Sequence, residues 1–230
     1  MEDELVDFLN TLLFGYYPYV AITVFLVGSL ARFERDQYGW RTGSSQLLRA
    51  DELRKGSNLF HIGILLLFFG HFVGLLTPPA IYHSLGLSTS AKQILAVVAG
   101  GIFGSICMMG LLILIRRRLT DPRIRATSSR MDIFILLLIA LQLALGLLTL
   151  PVSLYHYDGS SMLLLSEWAQ RIVTFRSGAA DQLVEINFLF KLHLFFGITL
   201  FLVFPFSRLV HVWSVPLGYV VRPYQVVRKR

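Results

Sequence analysis

Five long apolar runs, separated by shorter polar segments, dominate the chain. They cover approximately residues 17–33, 58–77, 93–115, 132–151 and 187–210. An apolar stretch of about 20 residues is long enough to cross a bilayer as a helix. The pattern therefore predicts an all-α integral membrane protein, with five transmembrane helices (spans I to V) in one domain. Residues 211–230 are predicted to form a tail.

The composition agrees with a membrane protein that crosses the bilayer several times. Of the 230 residues, 55% are hydrophobic and 15% are charged, whereas a soluble domain has about 25% charged residues. The single cysteine, Cys107, excludes a disulfide framework, a cysteine-ligated zinc site and a cysteine-held iron–sulfur cluster within this chain.

The basic residues predict the orientation of the spans. Seventeen of the 21 lysines and arginines lie in the I–II loop, the III–IV loop and the C-terminal tail. Short cytoplasmic loops are enriched in basic residues. We therefore expect a membrane protein with its N-terminus outside and its C-terminus in the cytoplasm. The same distribution explains the basic pI without nucleic-acid binding.

Four histidines are the candidate functional residues. Span II carries His61 and His71, and span V carries His193, with His211 just past its end. Ionisable side chains at membrane depth usually mark a functional site. Ten residues of helix separate the first two by roughly 15 Å. Eighteen separate the other two by roughly 27 Å, or five whole turns, which places His193 and His211 on one helical face. Depth thus pairs His71 with His193 outside and His61 with His211 inside.

Each pair is suited to hold a flat macrocycle, because imidazole is a common axial ligand of haem iron. The pattern favours two haems between spans II and V, beside the small residues Gly70, Gly74 and Gly197. Two other interpretations stay open. The histidines could form hydrogen bonds to a neighbouring helix, or they could act as a proton relay in a haem-free transporter. Zinc is less favoured, because neither level has a third ligand.

Several local features can be tested against the structure. Residues 44–56 suggest a short surface helix, and residues 162–175 suggest an interfacial helix. Pro78 with Pro79 is expected to end span II, and Pro151 to end span IV. The small residues of Ala99–Ser105 favour close helix packing. His83 is interpreted as an ordinary loop histidine.

An ordered set of motifs spans almost the whole chain. They are YYPYVA (16–21), QYGWRTGSSQ (37–46), SNLFHIGIL (57–65), GHFVGLLTP (70–78), RLTDPRIRATS (118–128), ALGLLTLP (144–151) and FPFSRLVHVWSVP (204–216). Together they resemble the gamma subunit of the respiratory, membrane-bound nitrate reductase. The resemblance implies a five-helix, dihaem cytochrome b of the bacterial cytoplasmic (inner) membrane, with a periplasmic N-terminus. Such a subunit anchors an iron–sulfur beta subunit and a molybdenum-containing alpha subunit in the cytoplasm.

The resemblance implies specific roles for individual residues. His71 and His193 would ligate the outer (distal) b-type haem, and His61 and His211 the inner (proximal) one. A membrane quinol, menaquinol or ubiquinol, would bind beside Gly70, His71 and Lys92, with Lys92 donating a hydrogen bond to it.

Two points remain open at this stage. A related quinone-linked cytochrome that anchors a heterodisulfide- or sulfite-type reductase is the alternative to nitrate reductase. Arg208 and the cluster Arg116–Arg118 lie at the depth of the inner pair. These arginines are candidates to bind haem propionates, and positive-inside topology explains them equally well.

Overall fold

The computed structural model describes residues 2–36, 47–155 and 158–214. Within these ranges all regular secondary structure is helical. The QYGWRTGSSQ motif and the part of the predicted tail from residue 215 onward lie outside the described residues.

The chain forms nine α-helices in the described ranges, joined by short 3₁₀ and π segments. The helices are α1 (Glu2–Thr11), α2 (Tyr17–Arg35), α3 (Ala50–Leu76), α4 (Pro79–Ser84), α5 (Thr89–Thr120), α6 (Pro122–Ala126), α7 (Arg130–Tyr155), α8 (Ser160–Val173) and α9 (Phe188–Val203). A π segment (Leu12–Tyr16) joins α1 to α2, and 3₁₀ segments cover Ala180–Leu183, Phe204–Phe206 and Arg208–Ser214.

Five stretches are long and apolar enough to cross a membrane. They are Glu4–Arg35, Ala50–Leu76, Thr89–Thr120, Arg130–Tyr155 and Phe188–Phe206. The prediction of an all-helical protein with five spans is therefore confirmed. The first stretch starts earlier than expected, because α1 and the π segment extend α2 toward the N-terminus.

The five spanning stretches pack in an order that differs from their order in the chain. Helix α3 packs on α5, α5 on α7, α7 on α9, and α9 on α2. Within the described ranges, no packing of comparable extent joins α3 to α9. These two helices carry three of the four candidate histidines, so the arrangement leaves them facing each other across a gap.

Small residues explain why α3 packs so closely on α5. A Cβ added at Gly63 would lie 2.5 Å from the Cβ of Cys107, and one at Gly110 would lie 2.3 Å from the backbone nitrogen of Phe60. Between α5 and α7, a Cβ at Gly104 would lie 2.7 Å from Leu147. Such approaches are typical of membrane helices with small residues. The packing interpretation of Ala99–Ser105 is thus confirmed at Gly104.

Helix α8 closes one end of the bundle. Ser166 and Gln170 both donate side-chain hydrogen bonds to the carbonyl oxygen of Leu75, at 2.7 and 3.1 Å. The indole nitrogen of Trp168 donates to the carbonyl of Phe14 at 2.9 Å. The expected helix at residues 162–175 is found at Ser160–Val173, where it packs on the end of α3.

Three local predictions are wrong. The separate surface helix expected at residues 44–56 is instead, from Ala50 onward, the first part of α3. Pro151 lies inside α7, which continues to Tyr155. In the last turn of α7, the Gln93 side chain donates a hydrogen bond to the carbonyl of Ser153 at 2.6 Å. This bond satisfies a carbonyl that has no acceptor role within the helix.

The third wrong prediction concerns the end of span V. Helix α9 ends at Val203 rather than near residue 210, because Pro205 follows and the backbone is extended at Ser207. The expected double-proline stop after span II is confirmed, since α3 ends at Leu76 and Thr77 is extended.

The α3–α5 contact gives a stability prediction. Gly110→Ala should force the two backbones apart and lower the midpoint of thermal unfolding in detergent by roughly 5 °C. Gly100→Ala, on the same helix, is the matched control, because its Cβ would make an ordinary 3.5 Å contact with Leu150. Equal midpoints for the two variants would contradict the packing described.

Candidate functional site

The first histidine pair joins α3 to α9. The ring centroids of His71 and His193 lie 6.0 Å apart, with an angle of 43° between the ring planes. His71 is exposed along the gap, whereas His193 is half-buried against α7. The structure therefore brings together the two residues that the depth argument paired.

The second pair joins α3 to the segment after α9. The ring centroids of His61 and His211 lie 6.3 Å apart, and the planes are inclined by 70°. His211 belongs to the 3₁₀ segment Arg208–Ser214. The five-turn argument for placing it on one helical face with His193 is therefore wrong, although the predicted partner is correct.

All four imidazoles are oriented by the same ring nitrogen. Each Nδ1 lies within hydrogen-bond distance of a backbone carbonyl oxygen; the acceptors are Ser57 for His61 (2.7 Å), Leu67 for His71 (2.7 Å), Gln142 for His193 (3.2 Å) and Arg208 for His211 (2.5 Å). A carbonyl only accepts, so Nδ1 carries the proton. In the neutral imidazole the other nitrogen, Nε2, is then unprotonated and is the one that can bind a metal.

The geometry of the pairs fits the haem irons that the resemblance implies. An imidazole nitrogen binds a metal at about 2 Å and lies about 1 Å from its ring centroid, so one shared ion separates two centroids by about 6 Å. No group of three or more His, Cys, Asp and Glu residues comes together in the described ranges. Each level therefore offers two nitrogen ligands, the number that bis-imidazole ligation of haem iron needs.

The space beside His71 also fits a flat group. A Cβ added at Gly70 or Gly74 would meet no atom within 4 Å, so this side of α3 is open. Gly197 serves a different purpose from the one predicted, because a Cβ there would lie 3.0 Å from the Gln142 side-chain nitrogen. Its small size admits the Gln142 amide.

Two residues of α7 that sequence reasoning missed hold His193 in place. The carbonyl of Gln142 is its Nδ1 acceptor, and the Gln142 amide nitrogen lies 3.5 Å from Nε2. A Cβ at Gly146 would lie 2.8 Å from the His193 ring, so only glycine allows this approach. A signal was present in the sequence: Gln142 is the only polar side chain between Ile133 and Leu148, and it stands four residues before a glycine.

Lys92 lies near the His71 end of α3 and is 8% exposed. Its Nζ donates to the carbonyl of Thr77 at 3.4 Å and stands 4.1 Å from the ring centroid of Tyr82. Thr77 follows His71 by six residues, or roughly 9 Å of helix rise. The structure thus places this lysine at the same end of the bundle as Gly70 and His71, but one to two turns beyond them.

Three of the candidate arginines, and His83, have structural partners. Arg208 forms a two-bond ion pair with Asp132, Arg118 donates to Ser128 at 2.9 Å, and Arg117 donates to the Leu48 carbonyl at 2.6 Å. His83 is exposed and lies 3.2 Å from the Thr89 hydroxyl. It stands apart from both histidine pairs, as the sequence interpretation expected.

Comparison with known proteins extends over nearly the whole chain. A family model described as nitrate reductase gamma subunit matches residues 10–230. The respiratory nitrate reductase 1 gamma chain of Escherichia coli (strain K12) is 52% identical over 225 residues, which are 98% of this chain and 100% of that protein.

More distant relatives show the same similarity. The nitrate reductase gamma chain of Bacillus subtilis (strain 168) is 39% identical over 219 residues, which are 95% of this chain and 98% of that protein. A nitrate reductase-like protein of Mycobacterium tuberculosis (strain ATCC 25618 / H37Rv) is 36% identical over 230 residues, 97% of this chain but 34% of that longer protein.

The contact between Gly146 and His193 yields a prediction for the site. Gly146→Val should displace the His193 imidazole from its position opposite His71. The haem content of the purified protein should then fall from two haems per chain to one. A pyridine haemochrome assay measures this stoichiometry. Gly101→Ala is the control, because its Cβ would make only a 3.6 Å contact with Leu150. Two haems in the Gly146→Val variant would contradict the assigned role.

Proposed function

We propose a function for this chain from the premise that it belongs to the nitrate reductase gamma subunit family. Membership makes it the membrane subunit of a respiratory nitrate reductase, with alpha and beta chains as its partners. We infer that it oxidises a membrane quinol at the outer face. The electrons from the quinol then pass to a cytoplasmic iron–sulfur beta subunit. From there they reach a molybdenum-containing alpha subunit, where nitrate is reduced.

The observation that carries this proposal is the pair of facing histidines at each of two depths. His61 and His71 are separated by ten residues of α3, or roughly 15 Å, which is about half the hydrocarbon thickness. Two b-type haems, held by His71 with His193 and by His61 with His211, would supply one-electron redox chemistry at these depths. Two imidazoles fill both axial positions, so each pair suits electron transfer rather than oxygen binding.

The quinol end of the proposal rests on Gly70, His71 and Lys92. The open space at Gly70 admits a flat ring beside His71. The Lys92 ammonium is held near the end of α3 by the Thr77 carbonyl and the Tyr82 ring. From there it would donate a hydrogen bond to a quinol oxygen and stabilise the negative charge that develops as protons leave.

The charge distribution supports the direction of the reaction. The I–II loop, the III–IV loop and the tail carry most of the basic residues, which favours their location in the cytoplasm. The His71 end then faces outward, and the His61 end faces the beta subunit. Quinol oxidation outside and nitrate reduction inside would make the cycle electrogenic, because electrons cross the membrane while protons are released on the outer face.

The histidine assignment is tested by removing one ligand of the outer pair. His71→Ala or His193→Ala should abolish one of the two haem components in a reduced-minus-oxidised spectrum and stop quinol-dependent nitrate reduction. His83→Ala is the control, because this exposed histidine contacts Thr89 and neither pair. A purified wild-type chain without a haem Soret band would overturn the proposal.

The role of Lys92 is tested separately from haem binding. Lys92→Ala should lower kcat/KM for quinol by about 10- to 100-fold, as expected for loss of one charged hydrogen bond, while both haem components persist. Lys191→Ala is the matched control: its Nζ also donates to a backbone carbonyl, that of Val184 at 3.0 Å, but it lies on α9. Equal kinetics for the two variants would remove Lys92 from the quinol site.

A further inference from the structure

The four candidate ligands are not held in the same way. His61, His71 and His193 lie on α3 and α9, whose regular hydrogen bonding fixes the backbone. His211 lies on the 3₁₀ segment Arg208–Ser214, beyond the break at Pro205. A 3₁₀ segment has poorer hydrogen-bond geometry than an α-helix and rarely persists unaided. The position of His211 therefore depends on contacts from other parts of the chain.

The first of these contacts comes from α2. The Arg32 guanidinium donates to the carbonyl of Pro205 at 2.6 Å and to the carbonyl of Ser207 at 2.9 Å. These carbonyls lie at the break, where the backbone leaves α9 and has acceptors without helical partners. Gly28, one turn before Arg32, allows Pro205 to lie against α2, since a Cβ there would be 2.9 Å from the proline ring.

The second contact comes from α7. Arg208 donates from Nε and a terminal nitrogen to the two carboxylate oxygens of Asp132, the latter bond measuring 2.6 Å. The Asp132 side chain is 8% exposed and that of Arg208 is 22% exposed. A two-bond arginine–carboxylate pair fixes orientation as well as distance. It therefore holds the residue whose carbonyl is the Nδ1 acceptor of His211.

Asp132 is itself held rigidly. Its carboxylate accepts from the backbone nitrogen of Ser129 at 2.8 Å, and the Ser129 hydroxyl accepts from the backbone nitrogen of Asp132 at 3.1 Å. This reciprocal cap fixes the start of α7. A path of hydrogen bonds thus runs from α7 through Asp132 and Arg208 to the imidazole of His211.

We propose that Asp132 and Arg32 are positioning residues that act through Arg208 and the Pro205–Ser207 carbonyls to hold His211 opposite His61. Asp132 contacts Arg208 at the start of the segment, and Arg32 contacts the break that precedes it, rather than the imidazole itself. The inference rests on the proposed function, because its readout is the haem that His61 and His211 would hold. The outer pair has no such dependence, since His193 is carried by α9.

Asp132→Asn is the main test variant, measured in the full chain assembled with its partner subunits. Asparagine keeps an oxygen for the Ser129 cap but loses the charge that pairs with Arg208, which leaves a largely buried guanidinium without its counter-charge. We expect the inner-haem component to lose at least half of its intensity or to shift its midpoint in a redox titration. The outer component should be unchanged and reports that the chain is folded.

Asp121→Asn is the matched control. The Asp121 side chain is also 8% exposed, caps the short helix α6 through the backbone nitrogens of Arg123 and Ile124, and forms an ion pair with Arg123. The variant therefore removes an equally buried carboxylate outside the path to His211. Both haem components should match those of the wild type.

Two further variants test the path itself. Arg208→Gln should reproduce the Asp132→Asn spectrum, and the double variant should be no worse than either single one, because both substitutions break the same interaction. Arg32→Gln should also alter the inner component alone, since glutamine cannot reproduce the two charged hydrogen bonds of Arg32.

The possible results separate the two proposals. A wild-type-like inner component in Asp132→Asn would overturn the positioning role while leaving the proposed function intact. Equal loss of both components, or an equal effect of Asp121→Asn, would also overturn it, because general destabilisation would then explain the change. A wild-type chain that contains no haem would instead overturn the proposed function, on which this inference rests.

Discussion

A hydrogen bond from Nδ1 to a backbone carbonyl orients each of the four membrane histidines, and the rest of the site depends on this bond. In hydrocarbon a polar ring without a partner costs several kcal/mol, so an imidazole within a spanning helix needs an internal acceptor. Because a carbonyl cannot donate, the bond also selects the tautomer of the neutral ring and leaves Nε2 as its unprotonated nitrogen. The facing pairs, His71 with His193 and His61 with His211, are the result.

The supply of acceptors differs among the four rings. His61 and His71 each use the carbonyl four residues earlier on α3, as a helix offers it. His193 instead reaches across to Gln142 on α7, which requires glycine at position 146. His211 uses Arg208 within an irregular segment. The outer pair therefore depends on helix packing, whereas the inner pair depends on arginine contacts from outside α9.

Much of this arrangement could be predicted from the sequence. Apolar runs located the five spans, and depth along spans II and V paired the histidines correctly. The prediction that His211 shares a helical face with His193 was wrong, because Pro205 ends the regular helix that the periodicity assumed. Pro151, by contrast, does not end α7. A proline inside a membrane helix is tolerated when other groups satisfy the backbone, and no single-residue rule reveals this.

The sequence by itself determined the class of protein, the number of spans and the four histidines, because apolar length and the cost of ionisable groups in hydrocarbon are properties of each segment alone. Only the tertiary structure decided that α3 packs on α5 rather than on α9, that Gly146 admits His193, and that Asp132 reaches Arg208. These contacts join residues far apart in the chain. They depend on the rotation and approach of whole helices, which local periodicity does not specify.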